Sequence, residues 1–509
     1  ETFAIGEVIV TDTVSYKELI VGKEYTVKGV LMNKATNTPL LIDGKEVKAE
    51  KTFTADTKDG TVELEFKFDA SELETTEVVV FEKLFKGDVE VTSHEDINDE
   101  AQTVIVRKPE IKTLAKVDGE KETFAIGEVI VTDTVSYKEL IVGKEYTVKG
   151  VLMNKATNTP LLIDGKEVKA EKTFTADTKD GTVELEFKFD ASELETTEVV
   201  VFEKLFKGDV EVTSHEDIND EAQTVIVRKP EIKTLAEVDG EKETFAKGEV
   251  VITDKVAYKD LIVGKEYTVK GVLMNKATNT PLLIDGKEVK AEKTFIADTK
   301  DGIVELEFKF DASKLETTEV VVFEKLFKGD VEVTSHEDIN DEAQTVMIKD
   351  ANIATHATVN GEKETEAQKD VEVLDRVHYS GLIVGKEYTL KGVLMDKATN
   401  SKLIVGGKEV TSEVKFVAEK SEGMVEMKFT FDATGLGGKE VVVFEKLYKD
   451  GEEIAAHEDI NDAAQTVFIK KPKEVTPPTG DGTRVGLMLT VMAMSMAAFV
   501  LFERKRRIV

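Results

Sequence analysis

One string occurs four times in this chain: His-Glu-Asp-Ile-Asn-Asp, two small or acidic residues, then Gln-Thr-Val. The histidines are His94, His215, His336 and His457, each 121 residues after the last, and Gln102, Gln223, Gln344 and Gln465 follow at a fixed offset. The chain holds only 6 histidines, so four in register mark a structural requirement rather than drift. A period of 121 in 509 residues predicts about four tandem domains, each of ordinary size and able to bury its own core.

The net charge of −33 repels phosphate backbones and anionic headgroups, which disfavours nucleic acid and lipid surfaces as partners of the repeats. Cysteine is absent, which excludes disulfides and thiolate metal sites and leaves any covalent brace to other side chains. The sequence opens at Glu1 inside a repeat, without initiator Met or signal peptide, and is therefore expected to be a fragment.

The C-terminal side sets the domain register. Pro-Glu-Ile-Lys-Thr-Leu-Ala starts at Pro109 and at Pro230, and a diverged copy runs Ile353-Ala354-Thr355-His356-Ala357. No such segment follows Gln465, so it opens a domain rather than closing one. The expected domains are 109–229, 230–349 and 350–472, preceded by residues 1–108, a repeat without its opening strand. Within each, the pattern is β. Val62 to Phe68 alternates apolar with charged residues, as a strand with one dry face does. Tyr25–Met32 and Val78–Leu84 are rich in β-branched and aromatic residues, and Asp43-Gly44, Asp59-Gly60 and Gly87-Asp88 read as turns. Seven or more short strands per domain predict an all-β chain of tandem Ig-like sandwiches.

Period-2 phase then places polar residues on the dry face. Asp12 falls in the row Val8, Val10, Val14, Tyr16, and Asp133, Asp254 and Asp375 repeat it. Thr113 shares a face with Ile111, Ala115 and Val117; Thr355 sits likewise; Gln102 is in phase with Val104 and Val106, and Glu82 with Val78, Val80 and Leu84. Leaving each such group unpaired costs on the order of 1–3 kcal/mol, so they are expected to meet. Three readings of that meeting arise. A buried hydrogen-bond network would fix register. A calcium site could use Glu95, Asp96, Asn98 and Asp99, although that run lacks the spacing and glycine of a loop ligand set. The third is reactive: a Thr hydroxyl held dry against a Gln carboxamide, with Asp, Glu and His to move protons, can acylate with loss of ammonia. Burial would raise the Glu pKa towards neutrality and suit it to that task.

The run Ile-Lys-Thr … Thr-Asp-Thr-Val-Ser-Tyr … Gly-Lys-Glu-Tyr-Thr-Val-Lys-Gly-Val-Leu-Met … Val-Val-Val-Phe-Glu-Lys-Leu … His-Glu-Asp-Ile-Asn-Asp-Glu-Ala-Gln-Thr-Val closely resembles the VaFE-repeat, Thr–Gln ester-bond domains of Gram-positive surface proteins. The resemblance covers roughly residues 1–470. It implies an Ig-like fold whose first and last strands are joined by a spontaneous ester, with pairs Thr113–Gln223, Thr234–Gln344 and Thr355–Gln465. The assisting residues it implies are Asp133, Glu203 and His215; Asp254, Glu324 and His336; and Asp375, Glu445 and His457. Gln102 has Asp12, Glu82 and His94 but no threonine partner in this sequence. A rival cross-link, a Lys–Asn isopeptide, could use Lys112 or Lys233 with the recurring Asn98. Position 354 is alanine where that lysine would stand, and Lys112 is out of phase with the Thr face, which favours the ester.

After Pro472 a Pro/Gly linker (473–484) leads to Val485–Phe502, an uncharged run long enough to cross a bilayer, and then to a basic tail (503–509) with Arg504, Lys505, Arg506 and Arg507. Thr476-Pro477-Pro478-Thr479-Gly480 ahead of that run resembles a sortase sorting signal with Thr in place of Leu. The expected protein is thus a cell-wall-anchored, cofactor-free stalk. Its partners would be sortase and peptidoglycan, and it would touch the membrane only through the C-terminal helix before sorting. A host surface ligand would bind a missing N-terminal tip. The alternative is that the repeats themselves bind host matrix or glycan. An enzyme is disfavoured, because each reactive set would be consumed in one turnover.

Overall fold

The computed structural model describes residues 1–472; the linker, the Thr476–Gly480 motif, the apolar run and the basic tail lie outside the described residues. Every regular element among the described residues is a β-strand, and none is a helix that could cross a membrane. The chain forms two compact units. One holds Glu1–Thr244 with Gly248–Ile348, and the other holds Phe245–Lys247 with the described residues from Lys349 to Pro472.

In the first unit, the second repeat displays the architecture in full. A three-stranded antiparallel sheet runs from Glu110–Val117 (the Thr strand) to Glu128–Lys138 (the Asp strand) to Gly181–Asp190. The facing seven-stranded sheet has the order Glu122–Phe124, Thr224–Arg228, Thr197–Lys207 (the Glu strand), Glu145–Asn154, Thr159–Pro160. Lys169–Thr175 pairs with Glu145–Asn154, and Val210–His215 with the Glu strand. Alternation drives the layering. Along Gly181–Asp190, Val183, Leu185, Phe187 and Phe189 are buried while the charged residues between them face water. The Glu strand is buried on both faces over Val199–Val201, which fits its central place with partners along both edges.

Between the sheets lie Tyr146, Leu152, Leu185 and Phe187, among the largest fully buried side chains. Gly150 sits opposite Glu203, and a Cβ there would come within 2.5 Å of Phe187 Cζ. The glycine therefore lets Phe187 close the core beside the polar cluster. The third repeat has the same two sheets, with Glu231–Glu237 as its Thr strand. In the first repeat the smaller sheet has two strands, Glu7–Tyr16 and Gly60–Asp69.

Successive repeats of this unit are joined by a recurring contact. Phe3 meets the edge of Tyr146 at 6.3 Å between ring centroids, and Phe124 meets Tyr267 at 6.3 Å. Lys207 and Lys328 lie over the respective phenylalanines. Arg107 binds Glu1 and Glu139, and Arg228 binds Glu122 at 2.6 Å with Asp260 nearby, both guanidinium groups being largely shielded from water.

The second unit contains the fourth repeat. Its smaller sheet is Asn352–Thr358, Val371–Ser380 and Gly423–Phe431; its larger one is centred on Lys439–Lys449 and ends in Glu364–Glu366 beside Thr466–Lys470.

Candidate functional site

Thr113 lies on the dry face of the Thr strand, whose buried residues are Ile111, Thr113, Ala115 and Val117. Ala115 pairs with Asp133 on the next strand, which sets Asp133 beside the threonine with its side chain wholly buried. Glu203 arrives from the opposite sheet, also wholly buried, and is paired on one side with His215. Gln223 is fully buried in the turn just before Thr224–Arg228. Period-2 phase predicts this glutamine within the strand; it lies one residue before the strand, in the turn, with its carbonyl accepting the Val201 N–H at 3.3 Å. Thr113 thus sits on the small sheet and Gln223 on the loop that leads into the large one, and a bond between them would tie one layer to the other.

The contacts are direct. In the second repeat Gln223 Nε2 donates to Thr113 Oγ1 and, at 2.6 Å, to Glu203 Oε2. In the fourth, Gln465 Nε2 donates to Thr355 Oγ1 at 2.5 Å and to Glu445 Oε2. In the third, Gln344 Nε2 lies 2.7 Å from both oxygens of Glu324, while the buried Thr234 hydroxyl makes no hydrogen bond. The carboxamide is there drawn onto the carboxyl, with Asp254 wholly buried on the neighbouring strand.

Burial is the main force on the acids. Desolvation, then the charge of Asp133, pushes Glu203 up to about 10; Glu324 rises to about 11 beside Asp254, and Glu445 to about 10 beside Asp375. Asp133, Asp254 and Asp375 are raised too, again by burial first. Neither oxygen of Asp133 accepts a hydrogen bond of normal geometry, and Glu203 Oε1 has none. Both acids are thus pushed towards their neutral forms, the glutamate by burial first and then by the neighbouring aspartate charge.

The histidine sits at the rim, half-buried. His215 Nε2 is 2.9 Å from Asp220 Oδ2, and His336 Nε2 is 2.8 Å from Asp341 Oδ2. In the fourth repeat the relay is complete: Asp462 Oδ2 lies 3.2 Å from His457 Nε2, and His457 Nδ1 lies 3.4 Å from Thr355 Oγ1. The aspartate fixes which ring nitrogen faces the hydroxyl, as an orienting acid does in nucleophile–base–acid sets. Asp220, Asp341 and Asp462 are not among the residues assigned from the sequence. Their signal was present, since they end every His-Glu-Asp-Ile-Asn-Asp string.

The same aspartates shape the loop. Asp220 Oδ1 accepts the Ala222 N–H at 2.7 Å, and its carbonyl accepts the Thr224 hydroxyl at 2.8 Å. Asp217 Oδ1 accepts the Asn219 N–H at 2.9 Å. These oxygens are spent on the loop's own backbone, and among the described residues no cluster of His, Cys, Asp or Glu is arranged to hold a metal. Lys112, Lys233, Asn98 and Asn219, the residues of the isopeptide alternative, are all exposed.

In the first repeat Glu82 is buried and raised to about 9 by desolvation, but neither of its oxygens nor Gln102 Oε1 accepts a hydrogen bond. His94 is 52% exposed, against 23% for His215, although it keeps Asp99 at 3.1 Å. Among the described residues, Glu7–Tyr16 pairs only with Gly60–Asp69 in the smaller sheet of this repeat.

A family model described as the T-Q ester bond containing domain matches four stretches: residues 3–106, 109–227, 230–348 and 351–469. The chain belongs to this family. No curated protein matches it. Among solved structures it is similar to a bacterial adhesin from Mobiluncus mulieris containing intramolecular disulfide, isopeptide and ester bond cross-links. That match has 16% identity and a TM-score of 0.25, covering 50% of this chain and 88% of the adhesin. It is also similar to the C-terminal domain of the Streptococcus agalactiae AgI/II polypeptide BspA, at 9% identity and a TM-score of 0.28, over 45% of this chain and 98% of that one.

Proposed function

We propose that the second, third and fourth repeats each close a Thr–Gln ester between their two sheets, and that the array is the stalk of a cell-wall-anchored surface protein. The observation that supports this best is the placing of Gln223 and Gln465 amide nitrogens between a threonine hydroxyl and a buried, protonated glutamate. Thr Oγ attacks the carboxamide carbon, the Oγ–Cδ bond forms and the Cδ–Nε2 bond breaks. The glutamic acid gives its proton to the departing nitrogen. The hydroxyl proton, taken up by the histidine or the carboxyl pair, restores the donor, so the products are one ester and one ammonia. Water is excluded by the two sheets, which favours acyl transfer to the hydroxyl over hydrolysis and protects the ester once made.

Tandem near-identical repeats with packed junctions suit a spacer better than a catalyst or a ligand pocket. Retention at the wall would follow from Thr476-Pro477-Pro478-Thr479-Gly480, the apolar run and the basic tail, with sortase and peptidoglycan as partners and a Gram-positive cell as host. Digestion of the purified chain tests the chemistry: the Thr113 and Gln223 peptides should emerge as one linked species, as should the other two pairs. Recovery of all six as separate peptides would overturn it. Anchoring is tested by expressing the chain in a sortase-bearing host, where Thr479→Ala should move it from the wall to the membrane fraction.

A further inference from the structure

One lysine in each of the second, third and fourth repeats stands outside the reactive set yet touches both the Thr strand and the glutamine loop. The Thr strand ends in a two-residue turn, Asp118-Gly119, with φ of 49° and 80°, bridged by Val117 and Glu120. Both residues have positive φ, as a tight hairpin turn requires, and Asp239-Gly240 and Asn360-Gly361 repeat it. The turn sends the chain from the small sheet to the large one and presents Lys121, Lys242 or Lys363 directly afterwards.

Lys121 Nζ donates to Ala115 O at 2.8 Å and to Ala222 O at 2.5 Å. Lys242 Nζ donates to Ala236 O at 2.6 Å and to Ala343 O; Lys363 Nζ donates to Ala357 O at 2.6 Å and to Ala464 O. The first carbonyl lies two residues past the threonine and the second belongs to the residue before the glutamine. The same two residues also meet directly, the Ala115 N–H reaching Ala222 O at 3.0 Å. The outer edge of the Thr strand is therefore closed by the glutamine loop through one amide and one ammonium. Burial draws these lysines down, Lys363 to about 8, so each cation is kept there against its own desolvation.

We propose that Lys121, Lys242 and Lys363 are positioning residues for ester formation: each ammonium clamps the Thr strand to the glutamine loop and so sets the reach of hydroxyl to carboxamide. A misplacement of about 1 Å at a reacting pair is enough to cost on the order of a hundredfold in rate. Neither carbonyl is a reacting atom, so the lysine acts through the strands and not on the carboxamide. This inference rests on the ester reading above.

The full chain serves as its own control, because only one of three sites is changed. Wild type, K121M and K121R are made by cell-free synthesis, quenched at intervals and digested, and the linked peptide from each site is quantified. In K121M the Thr113–Gln223 link should form at least about tenfold more slowly, while the Thr234–Gln344 and Thr355–Gln465 links keep the wild-type rate. K121R, which restores two donors to the carbonyls, should recover to within about threefold. Hydrogen exchange across Gly181–Asp190 and Thr197–Lys207 should stay at the wild-type level in K121M. Equal rates in K121M and wild type would overturn the clamp and leave the ester standing. Slow linking with raised exchange, unrelieved in K121R, would overturn it as well and reduce the lysine to a folding role. Absence of links at all three wild-type sites would refute the ester itself.

Discussion

The proposed chemistry turns on a glutamate whose ionisation burial pushes up to about 10. Glu203 has no exposed surface and shares its cavity with Asp133, so the folded chain holds a proton that the unfolded chain releases near the ordinary carboxylate value. Its folded pKa is raised, so the stability it contributes is fully present below about pH 4.5 and is lost as pH climbs through about 10. A chain with all three threonines replaced (Thr113→Ala, Thr234→Ala, Thr355→Ala) keeps this pair uncross-linked, and its denaturant midpoint should fall steadily from pH 5 to pH 9. A midpoint that rose over that range would contradict the protonated-glutamate assignment. Replacing Glu203 by Gln in the same background removes the buried acid, so the pH 9 midpoint should recover. In the otherwise wild-type chain, however, Glu203→Gln should abolish the Thr113–Gln223 link, because the leaving nitrogen loses its proton donor.

At the scale of elements, the loop from His215 to Gln223 does two jobs through one residue. Asp220 caps backbone amides and orients the histidine. Asp220→Asn retains most of the capping but presents a neutral partner to the ring, and should slow linking in the second repeat by roughly a hundredfold. Unchanged linking would remove the histidine from the mechanism. The strands themselves were legible: the alternation in Val62–Phe68 recurs as the buried row of Gly60–Asp69, and the phase of Asp12, Thr113 and Glu82 matches their inward placement. The roles of Asp220 and Lys121 were not, for a physical reason. Both act largely on backbone N–H and C=O groups, which every residue carries and which leave no side-chain periodicity. Lys121, Lys242 and Lys363 do recur at the 121-residue spacing, but a lone lysine beside a turn reads as a solvated charge until the fold brings two carbonyls to it. The turn position of Gln223 was hidden likewise, because period-2 phase runs on past the end of a strand.

At the scale of the whole molecule, the proposed stalk depends on how one repeat is joined to the next. Within the first unit the junctions combine an aromatic edge contact with a shielded arginine held by acids of both neighbours. Phe124→Ala and Arg228→Ala together should leave each sandwich folded but loosen the segment between the second and third repeats. A glutamate-specific protease should then cut after Glu231, which the parent chain resists; continued resistance would mean the junction does not depend on these side chains. In the second, third and fourth repeats the proposed link would span 110 residues, and closing a loop of that length stabilises by roughly 4–5 kcal/mol on chain-entropy grounds. The central claim is that these loops are closed by esters, and the intact mass of the purified full chain tests it most directly. The mass should fall short of the sequence by three ammonias, and hydroxylamine, which cleaves esters and spares amides, should open every link. A mass equal to that of the sequence, or a deficit whose links survive hydroxylamine, would contradict the account.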